Sequence, residues 1–414
     1  MKLLGNPLKT CFWSCLRGIN ACIPKRKNTL AFIPHGGCYS DGNSLFNYKS
    51  DNVLSFLHFL ITKYGDKYEY RLAVDRREAE DMQRRLDREY PRIKIRCFVF
   101  FAPKASTIQR FRNLFAALKA LCRCKYVFTS QALPIPYSTK RQKFVYLGYY
   151  ACNFKNDYLP MYLKNAKNYN RTYDIMAAPS LLFGQINSHV YNIPLHKFVT
   201  LGMSRNDELL KIEKNEHLEK RIAEAVDYPV EHVFLYTPTH RDYEEGCSAT
   251  RSILGFDVDP AAFGNFLRTN QAIIICKIHS KQNLDVLSAA LPDGVVLHRP
   301  NEKYGLCELM QRANCLITDY TSTYFDFLLL DRPVLFNFYD FATYEKTRGF
   351  SFDPLDSIIA GEVFTDETSF YRALENVRSG NDPYREKRRF VRDLVHKYQD
   401  TEASQRICSY LFHD

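Results

Sequence analysis

The stretch CLITDYTSTYFDFLLLDRPVLF, residues 315–336, contains two apolar runs separated by a short polar segment. The first run ends at Asp319, and three hydroxyl residues, Thr321, Ser322 and Thr323, come before the second. A short apolar run is typical of a buried strand, and hydroxyl side chains are favoured where a helix begins. The stretch therefore predicts a strand, a helix start and a second strand, as in a parallel sheet covered by helices.

Two series of such units run along the chain. The first contains the strand-like segments NTLAFI, YRLAVD, KIRCFVFF, CKYVFTS and QKFVYLGYY. The second begins near Leu201 and contains HVFLYTP, AIIICK, GVVLHRP, CLITDYTST and RPVLFNFYD. Because helical segments separate most of the strands, we expect an α/β fold with two doubly wound, Rossmann-like domains facing across a cleft.

The composition favours an anionic partner. The 414 residues include 57 Lys and Arg against 46 Asp and Glu, which gives a formal charge of +11. The basic residues are dispersed and no nucleic-acid-binding module is recognisable, so we expect no nucleic acid partner. The 13 cysteines are odd in number, and several lie in apolar runs, where cysteine acts as a small hydrophobic residue. This usage is typical of the reducing cytoplasm.

The first 27 residues contain six basic side chains and no acidic one. Apolar residues recur there at helical spacing, at Leu8, Phe12, Cys15, Ile19 and Cys22. Basic residues interrupt each apolar run, which argues against a signal peptide or a membrane span. The segment predicts a cationic amphipathic helix lying on an anionic membrane surface; the alternative is a helix docked on its own protein.

Polar side chains follow three strands of the second series. They are Thr239 and Arg241, then Lys277, His279 and Ser280, then Asp319, Thr321, Ser322 and Thr323. Ligands of open parallel sheets bind beyond the carboxyl ends of the strands, and a helix N-terminus attracts phosphate. Each group also has a structural interpretation, since the hydroxyls can cap a helix and a histidine can be buried in a core. Their combination at three successive strand ends predicts a diphosphate site.

These motifs resemble a known family. LGMSRND, YTPTHRD, KIHS, LITDYTSTYFDFLLLDRPVLFNFYD and TRGFSFD, spanning residues 200–353, are similar to the C-terminal half of the CDP-glycerol glycerophosphotransferases. That family includes the teichoic acid glycerol-phosphate primases and polymerases. The N-terminal half matches weakly, through GGCYSDGNSLFNY and QKFVYLGYYACNFK. The resemblance implies a GT-B architecture and a place at the membrane surface.

Combined with the strand pattern, the resemblance gives an expected domain organisation. It has an amphipathic membrane-contact helix at 1–27, an acceptor domain at 28–195, a nucleotide-donor domain at 196–385, and C-terminal helices at 386–414 that can pack back across the domains.

The resemblance also implies roles for individual residues. His279 would contact the donor pyrophosphate, and Thr321 and Ser322 would bind donor phosphate. Arg205, Asn206 and Asp207 would line the cleft, with both a structural and a functional role open for Arg205. Arg299, which follows a strand end, is a weaker candidate for the same cleft.

The general base is where this chain departs from the family. The family's acceptor domain carries a Trp-His-Gly-Thr-Pro-like loop, and the counterpart of its histidine here is Tyr150. A tyrosine, with an ordinary pKa of about 10, is a poor base at neutral pH. His35, in the Gly-rich turn after the first strand, is the alternative, and Asp41 would orient its imidazole or bind acceptor hydroxyls.

The expected activity is that of an EC 2.7.8-type transferase. An acceptor hydroxyl attacks the β-phosphorus of CDP-glycerol, or a related nucleotide-activated alditol phosphate, and CMP leaves. The acceptor would be a lipid-linked or polymeric cell-surface glycan at the inner face of the cell membrane. No cofactor or metal is required, and the Asp-Val-Asp triplet at 257–259 precedes Pro260 and predicts a helix start.

Two alternatives remain open. One keeps the fold but uses CDP-ribitol or a nucleotide sugar as donor, and the other is a non-catalytic membrane scaffold.

Overall fold

The computed structural model describes residues 6–34, 51–101, 107–130, 138–148, 170, 172–239, 254–278, 291–299 and 302–412. These residues form two compact units. Unit 1 contains the described residues up to Glu208 and those from Asp400 onward, and unit 2 contains those between Leu209 and Gln399.

Unit 1 is built on a parallel sheet of seven strands in the order β3-β2-β1-β4-β5-β6-β7. The strands are β1 Arg26–Ile33, β2 Glu69–Asp75, β3 Ile95–Phe101, β4 Cys124–Thr129, β5 Lys143–Tyr146, β6 Ile175–Ala178 and β7 Phe198–Thr200. Side chains alternate across the sheet, so Leu30 and Phe32 enter the core on one face and Ala31 and Ile33 the core on the other.

Helices cover both faces of this sheet. They are α1 Asn6–Cys22, α2 Asn52–Tyr64, α3 Ala79–Glu89, α4 Thr107–Leu121, α5 Leu181–Tyr191, α6 Ser204–Leu210 and, from the end of the chain, α14 Ala403–Phe412. The last helix places Ile407, Cys408 and Leu411 in the core of unit 1. Because β7 also belongs to this sheet, the sheet extends past residue 195, the expected end of the first domain.

Unit 2 contains a parallel sheet of six strands in the order β10-β9-β8-β11-β12-β13. The strands are β8 His232–Thr237, β9 Ala272–Cys276, β10 Val295–Leu297, β11 Cys315–Thr318, β12 Val334–Asn337 and β13 Glu362–Phe364. The helices are α7 Glu216–Ala225, α8 Pro260–Thr269, α9 Leu306–Arg312, α10 Thr323–Phe327, α11 Phe341–Arg348, α12 Glu367–Arg378 and α13 Arg385–Val395. The expected doubly wound sheets are confirmed in both units.

The strand order of unit 2 has a direct consequence for ligand binding. From β8 the chain builds outward to β9 and β10, and it then crosses to the other side of β8 to add β11, β12 and β13. The connections therefore diverge between β8 and β11, and a crevice forms there at the carboxyl ends of the strands. This is the switch point at which open α/β sheets bind ligands.

The N-terminal segment forms the expected helix, but part of the apolar face of this helix packs against the core of unit 1. Leu16 is buried, and Phe12, Trp13 and Ile23 pack against the core of unit 1. This face of α1 is therefore docked on the protein itself, as the alternative prediction held, because a side chain in the core is not available to a bilayer. Among the described residues, no helix is both long enough and apolar enough to cross a membrane.

The basic helix α13 is also less solvent-exposed than its charge pattern predicts. Arg388 is 1% exposed, and its guanidinium donates to Asp382 Oδ2 at 2.7 Å and to Asp331 Oδ1 at 3.3 Å. A buried guanidinium needs such partners, because unpaired burial of a charge is costly. The two carboxylates thus fix α13 on unit 2.

Candidate active site

The strands on either side of the switch point are joined by their own side chains. The hydroxyls of Thr237 and Thr318 lie 3.2 Å apart, and Thr318 also donates to the carbonyl of Thr237 at 3.2 Å. Both residues are the last of their strands, and both are buried. The two strand ends are therefore held in a fixed relation at the place where a ligand would bind.

Asp319 strengthens this connection. Its carboxylate accepts the backbone N–H of Thr239 at 2.8 Å, the Thr239 hydroxyl at 2.7 Å and the backbone N–H of Tyr320 at 2.6 Å. The side chain is 2% exposed. A buried carboxylate with several internal donors is poorly suited to bind phosphate directly, because like charges repel. Asp319 was predicted to bind the donor. In the structure its carboxylate positions Thr239.

The three hydroxyl residues that follow divide into different roles. The Thr321 hydroxyl accepts the backbone N–H of Thr323 at 3.1 Å, so it caps the start of α10. Ser322 occupies the N-cap position, but its side chain makes no capping hydrogen bond. Thr321, Ser322 and Thr323 are all partly exposed. The hydroxyls of Ser322 and Thr323 take no part in this cap and are thus the better placed to meet a ligand.

Lys277 and Arg299 also lie along the carboxyl edge of the sheet. Lys277 directly follows β9, and its backbone N–H donates to the carbonyl of Tyr236 in β8 at 2.8 Å. Arg299 follows β10, and its backbone N–H donates to Glu302 Oε2 at 3.2 Å. Both side chains are partly exposed. Lys277 therefore lies at the end of the strand next to β8, and Arg299 lies one strand further from the switch point.

A buried histidine at the same edge was not identified from the sequence. His298 directly follows β10, its backbone N–H donates to Cys276 O at 2.9 Å, and its Nδ1 lies 2.6 Å from Glu302 Oε2. Burial acts to raise the pKa of Glu302, but hydrogen bonds from His298 and Tyr304 outweigh it and hold the pKa below its ordinary value. The four-residue spacing of His298 and Glu302 was the available signal, although it is not specific.

The candidates Arg205, Asn206 and Asp207 lie in α6 of unit 1. The Asp207 carboxylate accepts the backbone N–H groups of Ala403 at 2.9 Å and Ser404 at 2.8 Å, so it caps α14. Asn206 is buried, and the backbone N–H of Arg205 donates to Asn52 Oδ1 at 3.1 Å. Asp207 therefore has a structural role at the start of α14, and the expected place of Arg205, Asn206 and Asp207 in the cleft stays a prediction.

The carboxyl edge of unit 1 is held together in a similar way. Asp51 caps α2 by accepting the backbone N–H groups of Val53 at 2.8 Å and Leu54 at 3.1 Å, and the Ser130 hydroxyl donates to it at 2.7 Å. Asn52 donates to Gly148 O at 2.9 Å. Residues that follow β4 and β5 are thus tied to the start of α2.

Several predicted site residues lie outside the described residues. They are His35, Asp41, Tyr150, Arg241, His279 and Ser280. The described neighbours of three of them follow strands of the expected sheets, since Pro34 follows β1, Gly148 follows β5 and Ile278 follows β9.

Two doubly wound parallel units define the class of protein, which is a GT-B-like α/β protein, as expected from the sequence. A comparison with solved structures supports this class. The wall teichoic acid polymerase TagF superimposes with a TM-score of 0.70 at 19% identity, covering 98% of this chain and 93% of the TagF chain. At that identity the likeness shows the fold.

The family model for CDP-Glycerol:Poly(glycerophosphate) glycerophosphotransferase matches residues 75–413, and the chain belongs to this family. It is 24% identical over 254 residues to the teichoic acid glycerol-phosphate transferase of Staphylococcus aureus (strain NCTC 8325 / PS 47), covering 61% of this chain and 63% of that protein. It is 25% identical over 253 residues to the teichoic acid glycerol-phosphate primase of Bacillus subtilis (strain 168), covering 60% of each. The chain thus spans less than two thirds of these curated relatives.

Proposed function

We propose that the protein transfers glycerol phosphate from CDP-glycerol to a hydroxyl of a lipid-linked or polymeric cell-surface glycan and releases CMP. Membership of the glycerophosphotransferase family supports this activity. The structural observation that carries it is the switch point of unit 2, where Thr239, Asp319 and the Thr321–Thr323 segment meet. A nucleotide diphosphate is the donor group that such an edge accommodates.

In this proposal the donor phosphates lie over the ends of β8 and β11. The Ser322 hydroxyl, the start of α10 and the side chain of Lys277 would stabilise negative charge on the transferred and leaving phosphates. His279, which follows Ile278 at the end of β9, would contact the pyrophosphate as the family resemblance implies. Catalysis would then rest on positioning and on charge stabilisation, because phosphoryl transfer asks little covalent chemistry of the protein.

A general base would take the proton from the acceptor hydroxyl. His35 is our candidate, since it comes two residues after the end of β1 in the sequence and histidine has an ordinary pKa of about 6.5. Tyr150 is the alternative. His35→Ala should abolish CMP release and leave CDP-glycerol affinity unchanged, with Tyr150→Phe as the matched comparison. Loss of activity in Tyr150→Phe alone would transfer the role to Tyr150.

We also place the protein at the inner face of the cell membrane. The support is the charge of the N-terminal segment, whose first 27 residues contain six basic side chains and no acidic one. Such a segment is attracted to the anionic lipids of a cytoplasmic leaflet.

The test is a donor comparison with the purified protein. CMP release is measured with CDP-glycerol and with CDP-ribitol, each in the presence of a lipid-linked acceptor. UDP release is measured with UDP-sugars and the same acceptor. The proposal expects turnover with CDP-glycerol that exceeds turnover with the other donors. Preference for CDP-ribitol or for a UDP-sugar would establish one of the alternative donors, and no turnover with any donor would favour a non-catalytic scaffold.

A further inference from the structure

A groove in unit 1 runs between the C-terminal halves of α1 and α4. Its volume is about 420 Å³, within the range of roughly 300–1,000 Å³ that small-molecule sites occupy. The residues that line it are Leu16, Ile19, Ile23, Arg71, Phe115, Leu118, Lys119, Cys122 and Arg123. Six of these nine side chains are apolar, so the groove suits an apolar ligand.

The helices on both sides also present apolar side chains to the outside. Ile19 on α1 is 59% exposed, and Phe115 on α4 is 58% exposed. Ile108, seven residues before Phe115 and on the same face of α4, is 70% exposed. Cys15 and Cys22 flank Ile19 on α1 and are exposed too. A contiguous patch of exposed apolar side chains indicates a binding surface, whereas single scattered apolar side chains do not.

The rim of this groove is cationic. Lys119 and Arg123 are exposed, and the described part of the chain offers neither of them an ion-pair partner. Arg71 is different, because its guanidinium lies 2.7 Å from Glu69 Oε1. The sequences of α1 and α4 contain no acidic residue. An apolar groove with this rim is complementary to an amphiphile that carries a negative charge.

The groove is a fixed feature because α1 is fastened at its C-terminal end. Lys25 Nζ donates to the carbonyl and the side-chain oxygen of Asn20 at 2.6 and 2.7 Å, and to the carbonyl of Cys122 at 2.5 Å. It thus joins the C-terminal ends of α1 and α4. The Asn20 amide donates to Gln142 Oε1 at 2.7 Å. Helix α1 is therefore held against α4 with its outer side accessible.

The groove lies toward the amino ends of the strands of unit 1, whereas Pro34, which precedes the candidate base in the sequence, follows the carboxyl end of β1. Helices α1 and α4 lead into β1 and β4, which begin at Arg26 and Cys124, so their C-terminal halves lie toward the amino ends of the strands. His35 follows the carboxyl end of β1. A ligand in the groove would therefore anchor the protein and would not be the reacting acceptor.

We propose that this groove binds one acyl chain of an anionic bilayer lipid, whose headgroup phosphate pairs with Lys119 and Arg123. The proposal rests on the membrane-surface part of the proposed function. It differs in that the lipid contact is a defined groove between α1 and α4, and not the whole apolar face of α1. Phe12, Trp13 and Leu16 pack within the protein, while Ile19 and Phe115 supply the lipid-facing walls.

The chain offers a nearby reporter, because its single tryptophan, Trp13, lies on α1 three residues before Leu16, which lines the groove. The full-length protein is mixed with phosphatidylglycerol vesicles whose acyl chains carry bromine, a short-range quencher of tryptophan fluorescence. The same measurement is made with brominated phosphatidylcholine. The proposal expects quenching by the anionic vesicles that exceeds quenching by the neutral ones. Equal quenching by the two lipids, or flotation with anionic vesicles without quenching, would overturn it.

Two variants test the groove itself. The double variant Ile19→Asp with Phe115→Asp should abolish the quenching. The double variant Lys119→Glu with Arg123→Glu should weaken vesicle binding by more than about tenfold, because the loss of one basic residue near an anionic surface already lowers the affinity several-fold. The control is Ile212→Asp with Lys214→Glu, an exposed pair in unit 2, which should bind as the unmodified protein does. Quenching that persists in both groove variants would refute the site.

Turnover measured without vesicles, on a soluble acceptor, separates this inference from the proposed function. Normal CMP release by a groove variant that no longer binds vesicles supports the inference. Loss of CMP release in the unmodified protein would overturn the proposed function and leave the lipid site standing.

Discussion

Asp319 holds Thr239 across the switch point of unit 2, accepting both its backbone N–H and its hydroxyl within 3.0 Å. The two residues are 80 positions apart in the chain and follow neighbouring strands. The contact fixes the ends of β8 and β11 with respect to each other before any ligand binds. Preorganisation of this kind is what a phosphoryl-transfer site requires, because most of its catalysis is positioning.

Asp319→Asn should weaken this connection. The replacement places an amide NH₂ opposite the backbone N–H of Thr239, so this N–H loses one of its two acceptor oxygens and faces a second donor, at a cost of about 1–3 kcal/mol in the free energy of unfolding. We also expect a higher KM for CDP-glycerol. Urea denaturation and steady-state kinetics measure the two effects. Asp356→Asn, whose side chain is 88% exposed, is the control and should change stability by less than about 0.5 kcal/mol. An Asp319→Asn protein as stable as the control would contradict the positioning role.

Thr321→Val and Ser322→Ala separate capping from ligand binding. Thr321 caps α10, so its replacement should cost about 0.5–2 kcal/mol of stability. The Ser322 side chain makes no capping bond, so Ser322→Ala should leave stability unchanged and reduce CDP-glycerol affinity. Thermal unfolding and isothermal titration make the comparison. Unchanged donor affinity in Ser322→Ala would remove Ser322 from the site.

Asp207→Ala should loosen the C-terminal helix. Loss of the cap exposes the backbone N–H groups of Ala403 and Ser404, and the expected cost is about 0.5–2 kcal/mol. Hydrogen exchange of the α14 amides is the measurement. The matched control is Asp366→Ala, which removes the cap of α12 in unit 2 and should leave exchange in α14 unchanged. Unaltered α14 exchange in Asp207→Ala would mean that Asp207 serves another purpose.

The Asp331–Arg388 pair should make stability depend on acid pH. Burial acts to raise the pKa of Asp331, but Arg389 and Arg388 outweigh it, so its pKa in the folded protein lies below the ordinary value. Ionised Asp331 therefore favours the folded state above the ordinary pKa of about 3.9, and this contribution is lost as pH falls through the lower, folded-state pKa.

The comparison is between the unmodified protein and Asp331→Asn. At neutral pH the variant should be less stable by about 1–3 kcal/mol, because a hydrogen bond to a buried charge is lost, and the difference should shrink on acidification. Urea denaturation across the pH range measures both. A difference in stability that stays constant down to acid pH would show that Asp331 gains nothing from its ionised form.

Much of the fold follows from the sequence, and the limits have physical causes. Short apolar runs predicted β1 to β5 and β8 to β12, because buried parallel strands need such runs. Strands β6, β7 and β13 were not predicted; β7 and β13 contain three residues each, and none of the three is marked by an extended apolar run. Periodicity also predicted α1, but it does not reveal what an apolar face packs against, so Phe12, which packs against the core, was expected to contact a membrane.

The candidate site was predictable where its signals are local. Thr321 caps a helix that begins at Thr323, as hydroxyl residues after a strand predict, and Asp259 caps the helix that the Asp-Pro pair predicts. The contact of Asp207 with Ala403 was not predictable, because the two residues lie 196 positions apart in the chain. The contact of His298 with Glu302 was missed because the pair has no distinctive motif around it.

Mass spectrometry of the reaction products measures the proposed transfer of glycerol phosphate itself. Purified protein is incubated with CDP-glycerol and a lipid-linked glycan acceptor. The mass of the acceptor and the amount of released nucleotide are then measured in the same reaction. We predict an acceptor heavier by whole glycerol phosphate units, with one CMP released for each unit added. An unmodified acceptor with no CMP, or an acceptor that gains sugar from a UDP-sugar instead, would contradict the claim.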